Sequence, residues 1–140
     1  MTVAHGDYVI SDDRERLDFA RVHAWMASTY WSPGIARETV ERAATHSSLV
    51  VAAYLDGIQT GYLRVISDRT TFGYLADVFV DVDHRRRGLA SAMVRFALAH
   101  PDHQGLRNWL LLTADAQDVY RSCGFDTFPD PERVMNFRPD

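Results

Sequence analysis

The sequence predicts an α+β fold in one domain spanning residues 1–140. Three observations lead there. The chain has 140 residues, close to the roughly 150 that one domain takes and enough to bury a core without disulfides. Hydrophobic residues make up 46% and charged residues 24%, the balance of a globular protein. Strand-type and helix-type periodicities both occur, in the order strand, two helices, a run of strands, then helix, strand, helix and strands, with no repeat or low-complexity linker between them.

Tyr8-Val9-Ile10 starts the series as a short strand. Asp12 and Glu15 have the spacing of a capping box. Behind them Leu17, Ala20, Ala24 and Ala27 recur at helical spacing, with Phe19, Val22 and Met26 widening the stripe, until Ser32-Pro33-Gly34 breaks it. Arg37 to Thr45 forms a second, shorter helix with Val40, Ala43 and Ala44 inward. Three antiparallel strands follow: Ser48–Leu55, Ile58–Ile66 and Thr71–Val80. The first two are joined by Asp56-Gly57, a strong two-residue hairpin signal. Leu89 to about Ala99 is an amphipathic helix stopped at His100-Pro101. Trp109–Thr113 is a buried strand, and Asp115 is placed to cap a short helix through Val119 and Tyr120 that ends at Gly124. Phe125–Phe128 and Val134–Phe137 read as two closing strands.

Composition removes several functions. There are 15 basic and 19 acidic residues, a net charge of −4, against the basic surface of a general nucleic-acid binder. Every basic residue is arginine, so there is no Schiff-base lysine and no P-loop lysine. Cys123 is the single cysteine, which excludes an internal disulfide and any CxxC metal or redox site. Asp81, Asp83 and His84 crowd a loop beside arginines, a poor setting for a cation, and no metal is expected. His23, His46, His100 and His103 have no evident triad partner. The N-terminus lacks a signal-peptide pattern and no apolar run approaches the roughly 18 residues needed to span a bilayer, so a cytoplasmic protein without membrane attachment is expected.

The segment that carries chemistry is Val78-Phe79-Val80-Asp81-Val82-Asp83-His84-Arg85-Arg86-Arg87-Gly88-Leu89-Ala90-Ser91. A strand runs into an arginine-rich loop, a glycine and, at once, a helix. Successive backbone N–H groups in such a loop form an anion nest, and the helix N-terminus adds about half a positive charge. Together they suit a pyrophosphate. Gly88 lets backbone approach phosphate, Ala90 keeps the next turn low, and Arg85, Arg86 and Arg87 add charge.

Arg85-Arg86-Arg87-Gly88-Leu89-Ala90, with the valine-rich strand before it, resembles the Gln/Arg-x-x-Gly-x-Gly/Ala signature of the GNAT superfamily of acyl-CoA-dependent N-acetyltransferases. Val119-Tyr120-Arg121-Ser122-Cys123-Gly124-Phe125 is similar to that superfamily's late helix. The resemblance covers Leu75 to Phe125. It implies a mixed, mostly antiparallel sheet flanked by helices and splayed open between Thr71–Val80 and Trp109–Thr113, with acetyl-CoA as co-substrate in the split. It further implies that the backbone of Val78, Phe79 and Val80 pairs with the pantetheine arm, that residues Arg86 to Ser91 wrap the pyrophosphate, and that Tyr120 is the general acid to the CoA sulfur. Many members carry an asparagine after the fifth strand. Ala114-Asp115-Ala116-Gln117 has none, and Asp115 either replaces it or caps the helix.

Acetyl transfer to an amine also calls for a base. Asp77 alternates with Leu75 and Phe79 along its strand, so it reads as an acid in an apolar row whose pKa desolvation would raise. Pairing with Arg64, or a base acting through water, stays open beside it. Ordinary ring packing on the sheet is the other use open to Tyr120. Tyr30 and Trp31 fall where the resemblance puts the acceptor pocket, and an aromatic pair there suits an apolar or cationic amine; cover for the core at the helix break is the other use. The expectation is an N-acetyltransferase acting on a primary amine of a small molecule by direct attack in a ternary complex, with a protein amine open and a homodimer allowed. A non-catalytic acyl-CoA-binding sensor or regulatory module is the alternative.

Overall fold

The computed structural model describes residues 1–139. Six strands form one sheet in sequential order: β1 (Thr2–His5), β2 (Tyr8–Ser11), β3 (Leu49–Leu55), β4 (Ile58–Ser67), β5 (Phe72–Val80) and β6 (Asn108–Leu110). Neighbours from β1 to β5 are antiparallel, and β5 and β6 are parallel. The β3–β4 hairpin turns on Asp56 and Gly57, both at positive φ (50° and 79°), as a two-residue primed turn requires.

The helices α1 (Phe19–Ser28) and α2 (Arg37–His46) cover one face, and α3 (Leu89–Ala99) covers the other. Val22, Met26, Val40, Ala44, Val50 and Tyr62 fill the α1/α2 side. Leu63, Val65, Leu75, Met93, Val94 and Ala97 fill the α3 side. A short helix, α4 (Gln117–Arg121), packs beside α3.

A β-bulge decides what β5 presents. Tyr62 opposes Phe79 and Arg64 opposes Ala76, so Asp77 and Val78 together face Leu63 alone. Asp77 takes φ +57° there. The extra residue shifts the alternation by one. Leu75 and Val80 therefore both join the α3-side core, whereas Phe79 packs toward α1 and α2.

β5 and β6 pair only over Phe72–Asn108, Gly73–Trp109 and Tyr74–Leu110. Beyond that the strands part, and Leu75 to Val80 have no strand beside them on that side. The contact point is tight: a Cβ on Gly73 would lie 2.7 Å from the Trp109 ring. Gly73→Ala is expected to displace that ring and cost about 1–3 kcal/mol, as overpacking does. Thermal denaturation reads the effect, and an unaltered Tm would contradict it.

Four sequence expectations need correction. Tyr8-Val9-Ile10 is not the first strand: β1, an exposed edge strand signalled only by the Gly6-Asp7 turn, with Gly6 at φ +58°, precedes it. Asp12 does not open a capping box. Its carboxylate binds the Met1 amine and His100 Nε2, each at 2.8 Å. Asp13 instead caps a 3₁₀ turn at Arg14–Arg16, and Asp18 caps α1 by accepting from the Arg21 N–H at 3.2 Å. Asp115 does not cap α4, because Thr113 Oγ1 accepts the Ala116 N–H at 3.0 Å. Finally, Phe125–Phe128 and Val134–Phe137 are not strands: their composition suits a sheet, but β6 leaves the sheet after Leu110 and offers them no ladder.

Candidate active site

The loop after β5 is built as an anion cradle. Val82–His84 makes a 3₁₀ turn capped by Asp81. Arg86 and Gly88 then take left-handed conformations at φ +64° and +74°, and α3 starts at Leu89. Among the described residues, no backbone N–H from Arg85 to Ser91 has a backbone partner. These free donors lie on the seven residues that lead into and open an eleven-residue helix, where the helix dipole also favours an anion.

The side chains of the signature divide the work. Leu89 is core, so only its N–H serves the cradle. Arg85 is committed: its Nε donates to the Val80 carbonyl at 3.0 Å and its guanidinium lies over the Phe79 ring at 5.3 Å. Arg86 and Arg87 are exposed and supply charge. Ala90 packs against the α3-side core. Ser91 Oγ lies 3.2 Å from Ser122 Oγ, and Cys123 Sγ contacts the Ser91 carbonyl at 3.6 Å, which knits α4 to the cradle.

The parted strands lead into the cradle. Val78, Phe79 and Val80 line the gap on β5, and half of a strand's backbone groups point to each side. Tyr120 on α4 is buried, 9% exposed. Its ring meets Phe125 edge-on at 6.2 Å. Burial pushes its phenol up to about 12, and nearby Tyr30, Cys123 and Asp115 push the same way. The hydroxyl therefore keeps its hydrogen across the physiological range.

Tyr30 and Trp31 stand on the α1–α2 connection, 62% and 41% exposed, with rings perpendicular at 5.0 Å. Tyr30 reaches across to accept the Ala114 N–H at 3.1 Å. Trp31 Nε1 donates to Asp77 Oδ1 at 3.0 Å, and Arg64 Nε donates to Asp77 Oδ2 at 2.7 Å. Arg64 also donates to Ser47 Oγ at 3.3 Å. The Arg64 pairing left open by the sequence is thus the one formed. Asp77 does not lie in an apolar row, because the bulge turns its carboxylate toward Arg64 and Trp31.

Residues that sequence reasoning passed over hold the loop in place. Arg21 Nη2 binds Asp81 at 3.0 Å, the Tyr8 hydroxyl meets His84 Nδ1 at 2.7 Å, and His5 Nε2 donates to the Arg87 carbonyl at 2.7 Å. These partners lie 60 to 82 positions apart, so no local pattern announces them.

A hollow of about 1350 Å³ lies elsewhere, between β6 and the segment 123–134. It includes Tyr120 but no residue of the 85–91 loop. Among the described residues no His, Cys, Asp or Glu cluster is arranged to hold a metal ion, and no helix is long and apolar enough to cross a membrane.

Comparison with known proteins agrees with this fold. A structure from Xanthomonas campestris pv. campestris, described as an acetyltransferase of the GNAT family, is 38% identical, covers 97% of this chain and 96% of its own, and superposes with a TM-score of 0.90. A Gibberella zeae protein named as an acetyltransferase is 28% identical over 82% of this chain and 76% of its own. A GNAT acetyltransferase from Brucella melitensis, solved with acetyl-CoA, shares the fold at a TM-score of 0.67 and 22% identity, covering 89% of this chain and 85% of its own. Residues 10–125 match the model of the Acetyltransferase (GNAT) family, and with that span the strand–cradle–helix unit and the Tyr120 segment fall inside one assignment: this chain belongs to the GNAT family of acetyltransferases.

Proposed function

We propose that this chain moves the acetyl group of acetyl-CoA to a primary amine on a small molecule, by direct attack in a ternary complex. The observation that carries the reading is the run of unpaired backbone N–H groups from Arg85 to Ser91 at the start of α3, opening onto the unpaired edge of β5. A pyrophosphate fits the first and an extended pantetheine arm fits the second, by strand addition. The amine nitrogen bonds to the thioester carbonyl carbon, the C–S bond breaks, and CoA leaves as a thiolate that takes up a proton.

Tyr120 is assigned to the sulfur as hydrogen-bond donor. Asp77, with Arg64 on one oxygen and Trp31 on the other, is assigned to anchoring Trp31, and the ammonium proton passes to water. Tyr30 and Trp31 form the acceptor wall. The reading gives no role to nucleic acid, a membrane or a metal, and assigns the reaction to the cytoplasm; a homodimer is compatible with it.

CoA release over a panel of small amines tests the proposal. Turnover with a defined amine is expected. Tight acetyl-CoA binding with no turnover on any amine or peptide would favour a non-catalytic acyl-CoA-binding module instead. Trimming Trp31 to Ala is expected to raise the acceptor KM about 3- to 30-fold, the range of an aromatic contact with a cation. Acetyl-CoA affinity should hold, because the cradle is built from other elements. Equal loss of both, with a large fall in Tm, would show that Trp31 only packs.

A further inference from the structure

The β1–β2 hairpin grips the cradle twice. The Tyr8 hydroxyl lies 2.7 Å from His84 Nδ1, with the two rings edge-on at 5.7 Å. His5, paired opposite Tyr8 across the hairpin, lies 2.7 Å from the Arg87 carbonyl through Nε2. A carbonyl only accepts, so Nε2 carries the hydrogen. The His5 ring also stands 3.5 Å from where a Cβ of Gly88 would be.

We propose that His5 is a positioning residue for the pyrophosphate of acetyl-CoA: its hydrogen bond to the Arg87 carbonyl sets the Arg87–Gly88 peptide plane so that the Gly88 N–H faces into the cradle. The inference rests on the acetyl-CoA reading above. A trans peptide is planar, so its N–H points opposite to its C=O. With the carbonyl held on the hairpin side, the N–H is directed away from the hairpin, toward the other free donors of the loop. Gly88 makes this necessary. Glycine populates either sign of φ at little cost, so nothing in its own conformation stops the plane from turning over. A turned plane would present a carbonyl oxygen where the phosphate has to sit. Arg86, at φ +64°, and the fixed Arg85 side chain hold the loop up to Arg86; the His5 contact extends that restraint to the Arg87–Gly88 peptide.

His5→Phe keeps a ring over Gly88 and removes the donor, and His5→Gln restores an N–H at the same reach. Acetyl-CoA affinity is measured by calorimetry. Steady-state kinetics use acetyl-CoA and S-acetylpantetheine, which lacks the pyrophosphate. His5→Phe is expected to weaken acetyl-CoA binding about tenfold, the scale of one hydrogen bond beside a charged ligand, and His5→Gln to recover most of it. KM for S-acetylpantetheine should move less than twofold in both. Unweakened acetyl-CoA binding in folded His5→Phe overturns the inference. So does an equal loss with both acetyl donors, which would mark His5 as a structural prop. An unmodified protein that does not bind acetyl-CoA would overturn the acetyl-CoA reading itself, and this inference with it.

Discussion

Gly88→Trp is expected to lower acetyl-CoA affinity at least ~100-fold, about 2.7 kcal/mol, in a protein that still folds. Gly88 sits at φ +74°, where an L-residue costs roughly 1–2 kcal/mol, a loss that a domain of this size survives. Its surroundings are open: the nearest atoms to a built Cβ are those of His5 at 3.5 Å. An indole in that open space stands beside the N–H groups that the pyrophosphate needs and crowds its approach. Gly88→Ala separates the two effects, carrying the backbone strain without the bulk, and should lose far less affinity. Arg86→Ala should weaken binding several-fold, with the difference shrinking as salt screens the exposed guanidinium. Calorimetry on the folded variants decides the matter, and undiminished binding by Gly88→Trp would remove the cradle from the site.

The cradle was legible because its signals are contiguous. A β-branched strand, an arginine run, a glycine and an amphipathic helix follow one another within Val78 to Ser91, and each acts over a few residues. The Asp56-Gly57 hairpin was legible for the same reason. What escaped depends on partners distant in sequence. Asp12, Asp13 and Asp18 are equally able to cap a helix, and it is the Met1 amine and His100 that withdraw Asp12. Period-two alternation placed Asp77 with Leu75 and Phe79, but a bulge opposite Leu63 breaks that period. The residue then faces Arg64 instead of a desolvated row. His5 and Tyr8 carry no local mark of their task, since the loop they hold lies more than 70 positions away.

Tyr120→Phe is expected to lower kcat by about 10²–10³, the worth of one hydrogen-bond donor aimed at developing charge, and by the same factor from pH 6 to pH 10. The uniformity follows from the phenol being pushed up to about 12, chiefly by burial. Below that value the hydroxyl keeps its hydrogen, so no loss of the Tyr120 proton shapes the rate profile in this window. The same shift decides how the group acts. A thiol has a reference pKa near 8.5, so full transfer from a phenol at about 12 would be uphill by roughly 5 kcal/mol. Tyr120 is therefore suited to donate a hydrogen bond to the departing sulfur, which takes its proton afterwards from solvent. The rising limb should belong to the acceptor: with both Asp77 oxygens engaged, the rate climbs as the amine itself loses its proton, in parent and variant alike. The ring stays, so packing on Phe125 and acetyl-CoA affinity should hold. Full activity in Tyr120→Phe would reduce Tyr120 to a packing residue. An alkaline limb present in the parent and absent in the variant would instead mean that the phenol gives up its proton near neutral pH and acts as a true general acid.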